Sequence, residues 1–220
     1  MVIGSEEMKK NIVDQLYWDD RVDASRVKVE VVDSKVVLSG VVQSFSARRA
    51  AEIDASMIPD VSVIENRLAV EFPPALPAVT DEELKSRIEK IYLWSGNIDF
   101  SALGVSVEAG HVTLEGNLDA FWEKMRAEDL VYDLLGVLSV TNAITVVPSE
   151  SLPDMAIADD IAAAFRRTGE IDINTVDISV QDGIVYLAGT VLSPSARHMA
   201  GNIAWHTAGV IDVRNDLIVS

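Results

Sequence analysis

The sequence has no cysteine and only three histidines among its 220 residues. The absence of cysteine excludes disulfide bonds and thiolate metal ligands, and leaves the cellular compartment undecided. No run of about 18 apolar residues occurs, so a transmembrane helix is not expected. The first residues also lack the basic and apolar regions of a secretory signal. We therefore expect a cytoplasmic protein, or a periplasmic one if an export signal has been removed.

Basic residues are scarce relative to acidic ones. The chain has 18 Lys and Arg against 35 Asp and Glu, which gives a net charge of −17, and the acidic excess extends along its whole length. A field of this sign repels phosphate backbones and anionic lipid surfaces at long range. General nucleic-acid binding is therefore not expected. Partners that are neutral, basic or bridged by metal ions remain open.

Motifs of catalytic or cofactor chemistry are missing as well. No Gly-rich phosphate loop, nucleophile elbow or His-Glu-x-x-His zinc motif occurs. His198 and His206 are two turns apart on a predicted helix, about 12 Å, which is too far to share a metal without other ligands. We therefore predict no catalytic residue, metal site or cofactor, and no enzymatic activity.

An internal repeat organises the chain. The tripeptide Leu-x-Gly occurs at Leu38, Leu114 and Leu187, and holding those offsets fixed aligns three gap-free copies. Prolines cluster between the copies, where a missing N–H costs no regular structure. The predicted modules are 5–72, 80–148 and 151–220.

Each copy predicts the order α-β-β-α-β. A helix with a buried apolar stripe comes first, followed by two alternating strands joined by a tight turn, such as Asp182-Gly183. A second helix and a last strand complete the copy. Thr80 and Glu83 form a predicted capping box, and Ser193-Pro194 a predicted helix start. The fold class is α+β, with two helices on one face of a three-stranded sheet.

The signature residues of the copies resemble those of the BON domain, a bacterial module. In the first copy they are Val22-Asp23, Val29-x-Val31, Val36-x-Leu38-x-Gly40 and Val61-x-x-Ile64-x-Asn66-x-Leu68-x-Val70. The resemblance implies the α-β-β-α-β fold, no catalytic residues, and a role in binding phospholipid membranes or other envelope components, often under osmotic stress. The chain also resembles triple-BON proteins without a signal peptide, which are regarded as cytoplasmic and stress-related.

Two functions of different class follow from these observations. The first is a non-enzymatic binding or scaffolding protein that acts on protein partners through its three modules. The alternative is a peripheral phospholipid- or envelope-binding protein of the osmotic-stress type. The oligomeric state does not follow from the sequence.

Three sets of polar or small residues recur in register, and each has a structural interpretation. We expect the glycines to permit a sharp exit from the second strand. We expect each asparagine to bond nearby backbone and fix the last strand against the Leu-x-Gly turn. We expect the aspartates to bond their own neighbouring backbone in a turn. The sets are Gly40, Gly116, Gly189; Asn66, Asn142, Asn215; and Asp23, Asp99, Asp172.

The aromatic residues are the candidates for a contact surface. Trp18 and Trp94 share one position near the end of the first helix of their copies. Phe121, followed by Trp122, shares its position with Phe45. Because large aromatics are usually buried, we expect packing in the core or between copies. Partner or lipid contact is the alternative, and it would make Trp18, Trp94, Phe121 and Trp122 the contact surface.

Overall fold

The computed structural model describes residues 4–96 and 98–219, and within them the order α-β-β-α-β occurs three times. The α+β class predicted from the sequence is confirmed. The helices are α1 Ser5–Trp18, α2 Phe45–Ser56, α3 Asp81–Trp94, α4 Phe121–Tyr132, α5 Asp154–Thr168 and α6 Pro194–Trp205. The strands are β1 Val27–Val32, β2 Lys35–Val42, β3 Val63–Val70, β4 Leu103–Glu108, β5 His111–Leu118, β6 Ser139–Val146, β7 Val176–Gln181, β8 Ile184–Val191, β9 Asp212–Asn215 and β10 Ile218–Val219.

The second strand of each copy is central in its sheet. In the first copy it pairs antiparallel with β1 and parallel with β3, so that Leu38 lies opposite both Val29 and Asn66. The third copy repeats this pattern, but its last strand is interrupted: β9 and β10 each pair parallel with β8. A helix crosses from the second strand to the third, as a parallel connection requires.

Local signals in the sequence set the helix ends. Thr80 Oγ1 accepts a hydrogen bond from Glu83 N at 3.2 Å, and Glu83 Oε2 accepts one from Thr80 N at 3.3 Å, which completes the capping box. Ser193 caps α6 by accepting from Ala196 N at 3.1 Å, with proline in the first turn. Gly169 ends α5 with a φ of 68°.

The cores of the first and third copies each lie between the two helices and one face of the sheet of that copy. In the first copy, α1 contributes a stripe of large side chains, whereas α2 contributes alanines that let it approach the sheet closely. The fully buried members include Met8, Ile12, Leu16, Val36, Leu38, Ala51 and Ala55. Leu84 and Ile88 in α3, and Ile157 and Ile161 in α5, occupy the equivalent buried positions.

The chain forms two compact units, and the boundary runs through the middle copy. One unit holds the chain up to Trp94 together with 105–114 and 128–141. The other holds 95–104, 115–127 and the chain from Asn142 onward. Among the described residues, no helix is both long and apolar enough to cross a membrane.

Candidate interaction site

The recurrent glycines lie inside the second strand, two residues before its end, and not at its exit as expected. Gly40 lies opposite Val27 with a φ of 115°, and a Cβ there would come within 2.1 Å of the Arg26 carbonyl oxygen. Gly116 and Gly189 repeat this geometry, with φ of 126° and 109°. The glycine is therefore needed because the neighbouring backbone leaves no room for a side chain.

The recurrent asparagines bond backbone, but their target is the second helix and not the Leu-x-Gly turn. Asn66 Nδ2 donates to the Arg48 carbonyl at 3.0 Å, and its Oδ1 accepts from Leu68 N at 3.2 Å. Asn142 and Asn215 donate in the same way to helix carbonyls, at 3.0 and 2.9 Å. The expected partner was wrong because the second helix lies next to the asparagine in the folded chain but not in the sequence.

Asp23 and Asp99 cap short 3₁₀ helices that precede the first strand of their copies, and Asp172 precedes a turn at the same place in the third copy. Asp99 accepts from Ser101 N at 2.9 Å, Asp172 from Asn174 N at 2.9 Å, and Asp23 from Ser25 N at 3.2 Å. The bonds from Ser101 lower the pKa of Asp99. These carboxylates are thus occupied by local backbone.

Two further aspartates, Asp81 and Asp154, have a structural role that the sequence analysis did not predict. Asp81 accepts from the N–H groups of Ala109 and Gly110, at 2.7 and 2.9 Å, and so holds the hairpin turn of the middle copy. Asp154 holds Asp182 and Gly183 in the same way, with both distances 2.9 Å. The sequence does carry a signal for this contact. Asp81 and Asp154 are the first residues of the first helix in the middle and third copies, at one repeat position, and the first copy has Ser5 there.

The two tryptophans at the ends of the first helices are exposed, contrary to the expectation of burial. Trp18 is 81% exposed and Trp94 is 83% exposed. The residues before them, Tyr17 and Leu93, are 74% and 80% exposed. Tyr17 and Trp18 meet edge to face with ring centroids 6.1 Å apart. We call Tyr17–Trp18 and Leu93–Trp94 the helix-end pairs.

Phe121 and Trp122 pack against aromatic side chains within the second compact unit. Phe121 is buried and its ring centroid lies 6.2 Å from that of Trp205. Trp122 stacks on His206 at 6.3 Å with an interplanar angle of 13°. Packing in the core or between copies was the expected role, and both residues pack on aromatic side chains of the third copy.

The equivalent contact between the first two copies lies within the first compact unit. Phe45 packs on Tyr132 with centroids 5.4 Å apart, and Tyr132 shares a repeat position with Trp205. The Arg49 guanidinium carbon lies 3.9 Å from the centre of the Tyr132 ring, and Tyr132 donates a short hydrogen bond to Glu128. Burial, followed by this Glu128 bond, raises the pKa of Tyr132 above its ordinary range.

A buried polar cluster distinguishes the first copy from the others. Asp54 in α2 is 3% exposed; Gln15 Nε2 donates to its Oδ1 at 3.3 Å, and no donor reaches its Oδ2. Burial raises the pKa of Asp54, and the neighbouring Asp19 raises it further. The hydrogen bond from Arg21 lowers the pKa of Asp19 to about 2. Of the two carboxyls, Asp54 therefore has the higher pKa, because burial disfavours its charged form while Arg21 stabilises the charge of Asp19.

The cluster has no counterpart in sequence in the later copies. Leu130 and Ile203 occupy the position of Asp54, and Ile91 and Ala164 that of Gln15. Across the described residues, no three His, Asp or Glu side chains lie close enough together to hold a metal ion. The helix-end pairs are thus the candidate site, because they leave large apolar side chains in solvent.

Comparison with known proteins adds three findings. The family model described as "BON domain" matches residues 5–71, 80–148 and 153–220. Osmotically-inducible protein Y of Escherichia coli (strain K12) is 25% identical over 143 residues, covering 62% of this chain and 71% of that protein. An uncharacterized protein in the gshII 5′ region of Anaplasma centrale is 30% identical over 119 residues, covering 52% of this chain and 79% of that protein.

Among solved structures, the C-terminal domain of CdsD, a structural protein of the type III secretion system of Chlamydia trachomatis, is similar to this chain. The alignment covers 99% of this chain and 100% of that one at 14% identity, with a TM-score of 0.27. A score this low carries no argument about function.

Proposed function

Because this chain belongs to the BON family, with three tandem BON domains and a distant relationship to osmotically-inducible protein Y, we propose that it is a non-enzymatic, stress-related binding and scaffolding protein. Its partners are proteins, and the helix-end pairs are its contact surface. The stress-related part of the proposal rests on the name of the E. coli relative.

The exposure of the helix-end pairs carries this proposal. Four large side chains, each at least 74% exposed, occupy the same place in two copies. Scattered single apolar residues on a surface are ordinary, but adjacent ones repeated in register are typical of interaction sites. Tryptophan and tyrosine are also enriched among the residues that dominate binding energy at interfaces.

The recurrent polar residues support binding over catalysis. Asn66 and Asp23, with their counterparts, direct their hydrogen bonds to nearby backbone. A general acid or base has to reach a substrate proton from a cleft, and these groups are committed to local structure. The repeated polar positions are thus accounted for by folding.

Co-purification with the double variant Trp18→Ala/Trp94→Ala tests the proposal. Leu192→Ala, which truncates an equally exposed residue in the third copy, is the matched control. We expect the wild type and the control to retain the same protein partners from the source cell, and the double variant to lose them. If the double variant retains them, the helix-end pairs are not the contact surface.

Phospholipid binding is the second candidate, and the tryptophans favour it. Tryptophan and tyrosine prefer the interface between lipid headgroups and water. The net charge of −17 opposes approach to an anionic membrane. Co-sedimentation with anionic vesicles at low and moderate salt distinguishes the two: tight binding that Trp18→Ala abolishes would replace the scaffold proposal, and binding only with calcium would indicate bridging ions.

The cytoplasm is the proposed compartment for this activity. Fractionation of the source cell, with detection of the untagged protein, tests it. Recovery of the chain from the periplasmic fraction would contradict it and would favour an envelope partner.

A further inference from the structure

The end of α1 combines exposed apolar surface with negative charge. Asp14 lies one turn before Trp18, and Asp20 lies two residues after it; both are exposed. The last turn of α1 contains no basic residue. The C-terminal end of a helix adds its own partial negative charge, which favours a cation nearby. Asp20 and the helix end therefore place negative charge close to Tyr17 and Trp18.

Two cations close in the sequence are already paired with carboxylates other than that of Asp20. Lys10 pairs with Asp14 at 3.2 Å, and Arg21 pairs with Asp19 at 2.5 Å. Over residues 4–96 and 98–219, no ion pair involves Asp20. The negative charge beside Trp18 is thus left for a partner to neutralise.

The equivalent positions in the other copies have different charge. Lys90 lies one turn before Trp94 and is exposed, so this helix carries a cation at the repeat position where the first copy has Asp14. In the third copy Arg166 and Arg167 replace the pair and occupy the last turn of α5. The first copy alone combines an exposed aromatic pair with an uncompensated acid.

We propose that Val13, Tyr17, Trp18 and Asp20 form a surface that binds a cationic, apolar segment of another protein, such as a basic amphipathic helix. This inference rests on the proposed function and names the class of partner. A Lys or Arg of the segment lies over the Trp18 ring, the strongest aromatic partner for a cation. The apolar face of the segment covers Tyr17 and Val13, which is 41% exposed.

Defined peptides with the full-length chain test the inference. The probes are a fluorescent amphipathic helix about five turns long, made of leucine and lysine, and two versions with glutamine or glutamate in place of lysine. Fluorescence anisotropy is read at about 0.15 M salt, where long-range attraction is screened. We expect the lysine peptide to bind best, and Trp18→Ala or Asp20→Asn to weaken it about fivefold or more. Leu192→Ala is the matched control and leaves binding unchanged, whereas Trp94→Ala has a smaller effect than Trp18→Ala.

The outcomes separate this inference from the proposed function. Equal binding of the lysine and glutamine peptides, both weakened by Trp18→Ala, would overturn the cationic partner and leave the apolar contact surface in place. If neither Trp18→Ala nor Trp94→Ala weakens binding of the lysine peptide, both the cationic partner and the proposed contact surface are overturned. Failure of all three peptides to bind, or Trp18-dependent binding of anionic vesicles alone, would overturn the protein partner.

Discussion

Replacing Asp54 by leucine should stabilise the first copy at neutral pH. Leucine and isoleucine occupy this position in the later copies, so the backbone of the repeat accepts a branched apolar side chain here. The change removes a buried carboxyl oxygen that has no donor, which costs about 1–3 kcal/mol. It also removes the bond from Gln15, worth about 1 kcal/mol. Burial of the leucine adds about 1.5–3 kcal/mol. These contributions add up to a net gain of roughly 1.5–5 kcal/mol.

The sign of the pH dependence follows from the raised pKa of Asp54. A group whose pKa is higher in the folded state contributes stability below its unfolded pKa of about 3.9, and that contribution is lost as the pH rises through the folded value. Asp19, whose pKa is lowered to about 2, acts oppositely and only as the pH falls below about 4. The advantage of Asp54→Leu is therefore small near pH 4 and grows toward pH 7.

Urea unfolding of both proteins at several pH values between 4 and 8 measures this difference, and hydrogen exchange of α2 amides locates it. Asp54→Asn is the control, because it keeps the shape but cannot ionise; it should remove the pH dependence without the full gain in stability. A leucine variant less stable than wild type at pH 7, or a difference independent of pH, would refute the reasoning.

Three further changes test the repeated structural features. Gly116→Ala should destabilise the chain by about 2 kcal/mol or more, since its Cβ would approach the Ala102 carbonyl oxygen to 2.3 Å; an unchanged urea midpoint would contradict this. Asn215→Ala should cost about 1–3 kcal/mol in the same assay, because the Arg197 carbonyl loses its donor. Asp154→Ala frees two turn amides and should speed their hydrogen exchange, while unchanged protection would show that the carboxylate does not hold the turn.

Features set by neighbours along the chain could be predicted from the sequence. The capping box at Thr80 and the cap at Ser193 each involve residues within one turn, so their types and spacing are informative. The repeated register then gave the element order for every copy. The match between patterning, turns and caps explains why the fold class was predictable.

Features that depend on distant residues could not be predicted in the same way. The partner of Asn66 and the neighbour of Gly40 are fixed by how strands and helices pack, and the Asp54 cluster joins two helices. The exposure of Trp18 is different. Trp18 lies two residues after the buried Leu16, about 200° around the helix. The helical period therefore predicts that Trp18 is exposed, whereas tryptophan in general is usually buried.

The aromatic packing between the second helices uses two repeat positions that are not aromatic in every copy. Phe45 meets Tyr132, and Phe121 meets Trp205, so each junction uses an aromatic from both copies. The same two positions at the outer ends hold Ser56 and Pro194. Neither supplies a ring for another copy to pack on, and repeat arrays need such altered ends to stay soluble. The aromatic contact that joins these copies therefore could not form at either outer position, and a further repeat would need a different contact there.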